Sequence, residues 1–227
     1  MTPAEVSAVV AGAVRDAGKS VPDVALRCLG PGVYGSPAAL RAGVDAGVLG
    51  RMVEGAPGIS RVETERGFLK VYVAAPWELV EDVLAEGERY GAAEVAERAA
   101  WPDRPRTFEN PGFRVRFAHA RMAAVRRRAR DLGVRGGPPA GLECREELAL
   151  LGLLGELPGW ARSGVLTGFL ERLADGVHDF YERCPALPEG QEKPGAVHAA
   201  RVTLAAAARI ALSNGLTMIG ETPRERL

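Results

Sequence analysis

A chain of 227 residues with 47% hydrophobic content is long enough for one large domain or two modest ones, and apolar enough to pack a core without staples. Its formal charge is zero, which excludes a uniformly basic nucleic-acid binder. Cys28, Cys144 and Cys184 lie far apart in sequence, show no metal-ligand spacing to the histidines, and fit a reduced, cytoplasmic protein; the start Met-Thr-Pro-Ala-Glu has no basic leader, and no stretch approaches a membrane span.

Thr2 with Glu5 three residues on fits a capping box, Pro3 suits the first helical position, and Val6, Val9, Val10 and Val14 supply an apolar face to about Gly18. Residues 24–29 read as a strand. Ser36-Pro37 opens a short helix, and residues 44–54 continue helically. Residues 59–64 and 68–73 are β-rich runs around Glu65-Arg66-Gly67, a predicted hairpin. Residues 76–98 read as helix. Residues 1–98 thus form a predicted small α+β domain. Three prolines, Pro102, Pro105 and Pro111, make residues 99–111 a connector. Beyond it no strand is persuasive. Val115, Ala118, Met122, Val125, Ala129 and Leu132 step by threes and fours, and Leu166, Leu170, Leu173, Val177, Phe180 and Cys184 repeat that seam. A Leu-rich helix over 142–157 and an Ala-rich one over 195–213, closed by Asn214-Gly215, complete a predicted all-α helical bundle over 112–227.

Gly30, Gly32 and Gly35 give the spacing G-x-G-x-x-G, which in a parallel βαβ unit cradles a pyrophosphate. Here an antiparallel hairpin follows, Pro31 removes a donor, and no acidic residue stands at a second parallel strand, so the glycines read as a turn. No phosphate-loop, H-E-x-x-H or G-x-S-x-G signature occurs. His119, His178 and His198 fall one per helix and read as packed side chains rather than metal ligands. No cofactor and no metal are expected.

The zero net charge hides a cluster. Residues 104–135 carry 10 basic against 2 acidic residues, whereas 1–103 carry 10 against 15 and 136–227 carry 9 against 12. Arg114, Arg121, Arg128 and Arg135 recur every seven residues, forming a slowly drifting stripe widened by Arg116, Arg126, Arg127 and Arg130. Such crowding calls for an anionic partner, RNA phosphates above all, or for acidic patches elsewhere on the protein. Arg114, Arg121, Arg127 and Arg128 are the predicted phosphate contacts, and Arg116 is a further RNA-binding candidate. Phe68 and Tyr181 offer rings for stacking, although each reads first as core.

The run Asn110-Pro-Gly-Phe-Arg-Val-Arg-Phe-Ala-His-Ala-Arg121 resembles the Val-Gln-Tyr-Ala-His-Ala-Arg opening of the anticodon-binding (DALR-type) domain of arginyl-tRNA synthetases. Residues 169–185, with Phe180-Tyr181 and Cys184-Pro185, are similar to that family's Leu-Ala…Phe-Tyr…Cys-Pro helix. Ala200-Arg201-Val202-Thr203-Leu204, residues 214–220 and Pro223-Arg224-Glu225-Arg226-Leu227 follow its closing pattern, which brings Arg201 and Arg226 among the RNA-binding candidates. Gly32-Val33-Tyr34-Gly35-Ser36 and Gly67-Phe68-Leu69 resemble the family's N-terminal extra domain, placing Phe68 and Lys70 at the tRNA elbow. Four positions depart from the family pattern: Lys70 stands for Asn, Arg116 for Gln, Phe117 for Tyr and Leu227 for Met. The family's catalytic domain, with its His-Ile-Gly-His-like and Lys-Met-Ser-Lys-Ser-like signatures, has no counterpart here. The resemblance therefore implies a non-catalytic protein that binds tRNA, tRNA-Arg or a similar one, for another factor, with no membrane and no DNA as partner. The alternatives are a protein-interaction module and an accessory subunit of a tRNA-dependent enzyme.

Overall fold

The capping box predicted at the start of the chain forms in the computed structural model, which describes residues 1–21 and 23–227. Thr2 Oγ1 accepts from the Glu5 N–H and the Glu5 carboxylate accepts from the Thr2 N–H, fixing α1 (Pro3–Asp16). Val6, Val10 and Val14 of α1 are fully buried. They pack with Leu49 and Val53 of α3 (Ala46–Glu54) beneath an antiparallel sheet in the order β1-β2-β4-β3. Its strands are β1 (Arg27–Gly30), β2 (Val33–Ser36), β3 (Ile59–Glu65) and β4 (Phe68–Val73), with the short α2 (Ala38–Ala42) after β2. The predicted hairpin is β3-β4, pairing Val62 with Val71 and Glu65 with Phe68.

β2 is a strand that no local pattern predicts. Glycines 30, 32 and 35 belong to a strand-turn-strand: Gly30 pairs with Val33, and Gly32 sits at φ 64. A Cβ on Gly32 would lie within 2.8 Å of Val73 and Pro76 side chains, so glycine serves both the turn and the close approach. The expected helix over 76–98 is shorter than predicted. α4 covers Glu78–Glu86, and a 3-10 turn over Gly87–Arg89 follows. Gly87 at φ 58 and Gly91 at φ 65 take conformations that α-helix excludes.

Two compact units result, Met1–Leu79 and Val80–Leu227. The second is built on α5 (Pro111–Asp131), α6 (Arg145–Ser163), α7 (Thr167–Arg183) and α8 (Ala196–Met218). The segment before α5 is tied into this helical unit by hydrogen bonds. The buried Tyr90 hydroxyl donates to the Leu154 carbonyl at 2.7 Å. That carbonyl is the one Pro158, inside α6 and lacking an N–H, leaves without its helical partner, which explains why α6 runs past the expected 157 to Ser163. Glu97 caps α7 from outside, accepting from the Leu166 and Thr167 N–H groups and the Thr167 hydroxyl. Burial alone would raise its pKa; these donors outweigh burial and hold the carboxyl below its usual range. Asn110 caps α5 by accepting from Gly112 and Phe113 N–H, while its amide donates to the carbonyls of Pro102 and Pro105.

Asn214-Gly215 does not end α8, contrary to expectation. The Asn214 amide donates to the Gly87 and Tyr90 carbonyls, and a Cβ at Gly215 would lie 2.3 Å from Leu170 Cδ2. Both residues are interior packing positions, so α8 continues to Met218. No helix among the described residues is long and apolar enough to cross a membrane.

Candidate nucleic-acid interface

Phe113, Phe117 and Arg121 step by four along α5, which places them one above another on a helical face. The rings of Phe113 and Phe117 stack at 5.4 Å, and the half-exposed Phe108 meets Phe117 edge-on at 5.8 Å. The Arg121 guanidinium is held between two rings, 4.8 Å from Phe117 and 4.4 Å from Tyr181 of α7. It donates to His178 Nδ1 at 3.2 Å and to the Glu182 carboxylate at 3.3 Å. His178 Nε2–H in turn donates to the Arg114 carbonyl at 3.2 Å, which assigns the neutral Nε2–H tautomer. Burial foremost, and Arg121 beside it, push the His178 pKa below its usual value despite that carbonyl. Tyr181 is half-buried against Arg121 rather than a core residue.

The other arginines of α5 divide along its length. Arg114 reaches Glu171 at 3.4 Å and Asp175 at 3.1 Å, both on α7. Arg116 is buried: its Nε and one terminal nitrogen each lie 2.9 Å from Glu221, in a two-pronged pair, and it also reaches the Trp101 and Pro102 carbonyls. That guanidinium is spent inside the protein and does not face an external ligand. Arg127 reaches the carboxylate of Glu225 at 3.6 Å and its carbonyl at 3.4 Å. Arg126, Arg128 and Arg130 are exposed, as is Arg135, which lies beyond the end of α5 and the positive-φ Gly133 and so does not continue the helical stripe as expected; among the described residues none of the four is engaged in an ion pair.

Two clefts adjoin these free guanidiniums. One of about 310 Å³ lies between Arg128, Leu132, Tyr181, Cys184 and residues 185–189. The other, about 350 Å³, is walled by Arg126, Arg130 and Arg135 over Ala129, Val202 and Thr203. Arg201, predicted as an RNA contact, faces inward, with Nε 2.6 Å from the buried Glu147 carboxylate and NH1 3.0 Å from the Pro185 carbonyl. Arg226 is exposed near the end of the chain.

Phe68 and Lys70 stand apart from this set, on the solvent face of the small unit's sheet. Phe68 is 51% exposed, so the expectation that it fills the core fails: β4 buries Leu69, Val71 and Val73 and turns the alternate side chains outward. With Leu29 and Gly35 these two residues line a cleft of about 800 Å³. Lys70 lies 3.7 Å from Glu63, whose carboxyl is held below its usual range first by the Tyr72 hydroxyl and then by Arg61 and Lys70.

All three histidines are buried within the helical unit. The donor set that does converge is a different one, Cys144, Glu147 and Cys184, with ligand atoms within 4.8 Å of one another. Arg201 already sits on Glu147 Oε1, and the Glu143 and Cys144 N–H groups donate to Oε2. A metal cation here would have to displace the guanidinium.

Phe108, Phe113 and His178 join the site without having been among its predicted residues. The four-residue steps from Phe113 to Arg121 were legible as one face of a helix; Phe108 and His178 arrive from other elements and left no local signal.

Fold and site together define a small α/β unit with a four-stranded sheet followed by an all-α unit that gathers arginines and aromatic rings on one helix. Residues 115–227 match the family model of the DALR anticodon binding domain, so this part of the chain carries such a domain.

Proposed function

We propose that the protein binds tRNA through its helical unit, as an arginyl-tRNA synthetase-like protein without the ATP- and arginine-activating domain, and presents that tRNA to another factor. Arg121 carries the reading. It is fixed between Phe117 and Tyr181 at the head of a stripe that continues into the free Arg128, with Arg135 beyond the end of α5, within the stretch matched by the anticodon-binding family. Half-exposed rings around a fixed cation suit splayed single-stranded bases, and the free guanidinium of Arg128 one heptad on, with Arg135 beyond the helix, suits the phosphates that follow. In the small unit, Phe68 and Lys70 are the groups offered to the tRNA elbow. tRNA-Arg is the proposed partner by resemblance.

A second reading, a protein-interaction module, draws support from the half-exposed Leu29 and Phe68 on the sheet cleft. Fluorescence-anisotropy titration with tRNA-Arg and with an unrelated tRNA, each at about 50 and 200 mM salt, separates the two. The tRNA reading expects binding that weakens steeply with salt and favours tRNA-Arg. No binding at low salt overturns it.

A further inference from the structure

Cys144 and Cys184 lie forty residues apart in sequence and come together where α6 begins and α7 ends. Their sulfur atoms lie within 4.8 Å, Cys144 exposed and Cys184 buried. A disulfide requires the two sulfurs to close to about 2.05 Å. Cys144 is the N-cap residue of α6, and an Arg201 guanidinium nitrogen lies 3.6 Å from its sulfur. Of the two sulfurs only that of Cys144 is open to a dissolved oxidant, and the thiolate is the nucleophilic form.

We propose that Cys144 and Cys184 form a peroxide-oxidisable pair, Cys144 reacting first and Cys184 resolving it into an intramolecular disulfide. The Cys144 thiolate attacks one oxygen of hydrogen peroxide and the O–O bond breaks. The departing hydroxide takes up the proton that Cys144 released and becomes water, leaving a sulfenic acid. The Cys184 sulfur then attacks the Cys144 sulfur, the S–OH bond breaks, and the released hydroxide takes the Cys184 proton as a second water. Two thiols lose two electrons and two protons in all, and one peroxide is reduced to two waters.

The order follows from the surroundings. Cys184, with its pKa pushed up to about 11 by burial first and then by Glu147 and Cys144, is shielded from peroxide, whereas Cys144 is open to it. Because Cys184 also lines the cleft of Arg128 and Tyr181, the new bond ties that cleft to the start of α6. Cys28 lies half-buried in the small unit and serves as the internal reference.

The test treats the reduced full chain with hydrogen peroxide, alkylates the remaining thiols and maps them by mass spectrometry. The expected product has lost two hydrogens, links the Cys144 and Cys184 peptides, leaves Cys28 alkylated and reverts with dithiothreitol. In Cys184→Ala, dimedone should trap a sulfenic acid at residue 144. In Cys144→Ser, an exposed change that leaves the core untouched, Cys184 should stay reduced. Oxidation of Cys28 at the same rate as Cys144, a disulfide between chains, or dimedone capture at Cys184 in the unaltered protein overturns the proposal. So does protection of both thiols by one equivalent of zinc, which would mark a metal site instead.

Discussion

The two halves of α5 carry arginines at similar density and use them in opposite ways. In the first half, Arg114 and Arg116 are paired with acids of other elements, and Arg121 is clamped between two rings. In the second, Arg127 reaches Glu225, but Arg126, Arg128 and Arg130 of the helix and Arg135 just beyond it face solvent without an ion pair among the described residues. A stripe that is uniform in sequence thus divides into an anchored head and a free tail. The head gives a binding surface its shape, and the tail, Arg127 with its Glu225 partner aside, gives it unpaired charge.

The largest effect is expected at Arg116. Arg116→Ala leaves Glu221 without its guanidinium in a site only 18% exposed, and should cost about 3 kcal/mol in chemical denaturation. A loss under about 1 kcal/mol would mean that the head is not anchored there.

Arg121→Lys should sharpen the contrast. An ammonium lacks the flat face that fits between Phe117 and Tyr181, so stability should fall by about 1–2 kcal/mol and tRNA affinity should fall with it, although the charge is kept. Wild-type affinity in this variant would place Arg121 with the free tail.

Arg128→Glu combined with Arg135→Glu should change stability by no more than about 0.5 kcal/mol. It should lower the slope of log affinity against log salt by about 2, one for each phosphate contact removed. An unchanged slope would exclude both residues from the interface.

The smallest effect concerns acid. His178 has a folded pKa below the ordinary histidine value of 6.5, with burial as the main cause. Between 6.5 and that lower value the unfolded chain binds more protons than the folded one, so stability is complete above 6.5 and falls as pH drops through the window. The buried His119 adds in the same direction, burial outweighing the Arg224 carbonyl that its Nδ1 contacts. Each histidine contributes at most about 1.4 kcal/mol per pH unit. His178→Gln should remove its share of the slope in melting curves taken from pH 7 to pH 5; an unaltered slope would mean that protonation leaves the Arg121 clamp intact.

Much of the architecture was legible locally. Thr2 and Glu5 announced α1 because both partners of a capping box lie within one turn, and the three-and-four steps in α5 and α7 announced buried seams. β2 was not legible, since Val33-Tyr-Gly-Ser36 is too short and too rich in glycine to read as a strand before β4 pairs with it. Nor was the true end of α8, where Asn214-Gly215 has the composition of a helix stop but is held inside by Gly87, Tyr90 and Leu170.

The sequence by itself determined that a short segment would carry an excess of arginines, on a helix whose opposite face is apolar, followed by further helices. Those features depend on neighbours within a few residues. Tertiary structure alone decided which arginines are free. The acids that engage Arg114 and Arg116 lie 57 and 105 residues away, and a guanidinium that reads identically along the chain is neutralised or left available according to which side chain folding brings against it.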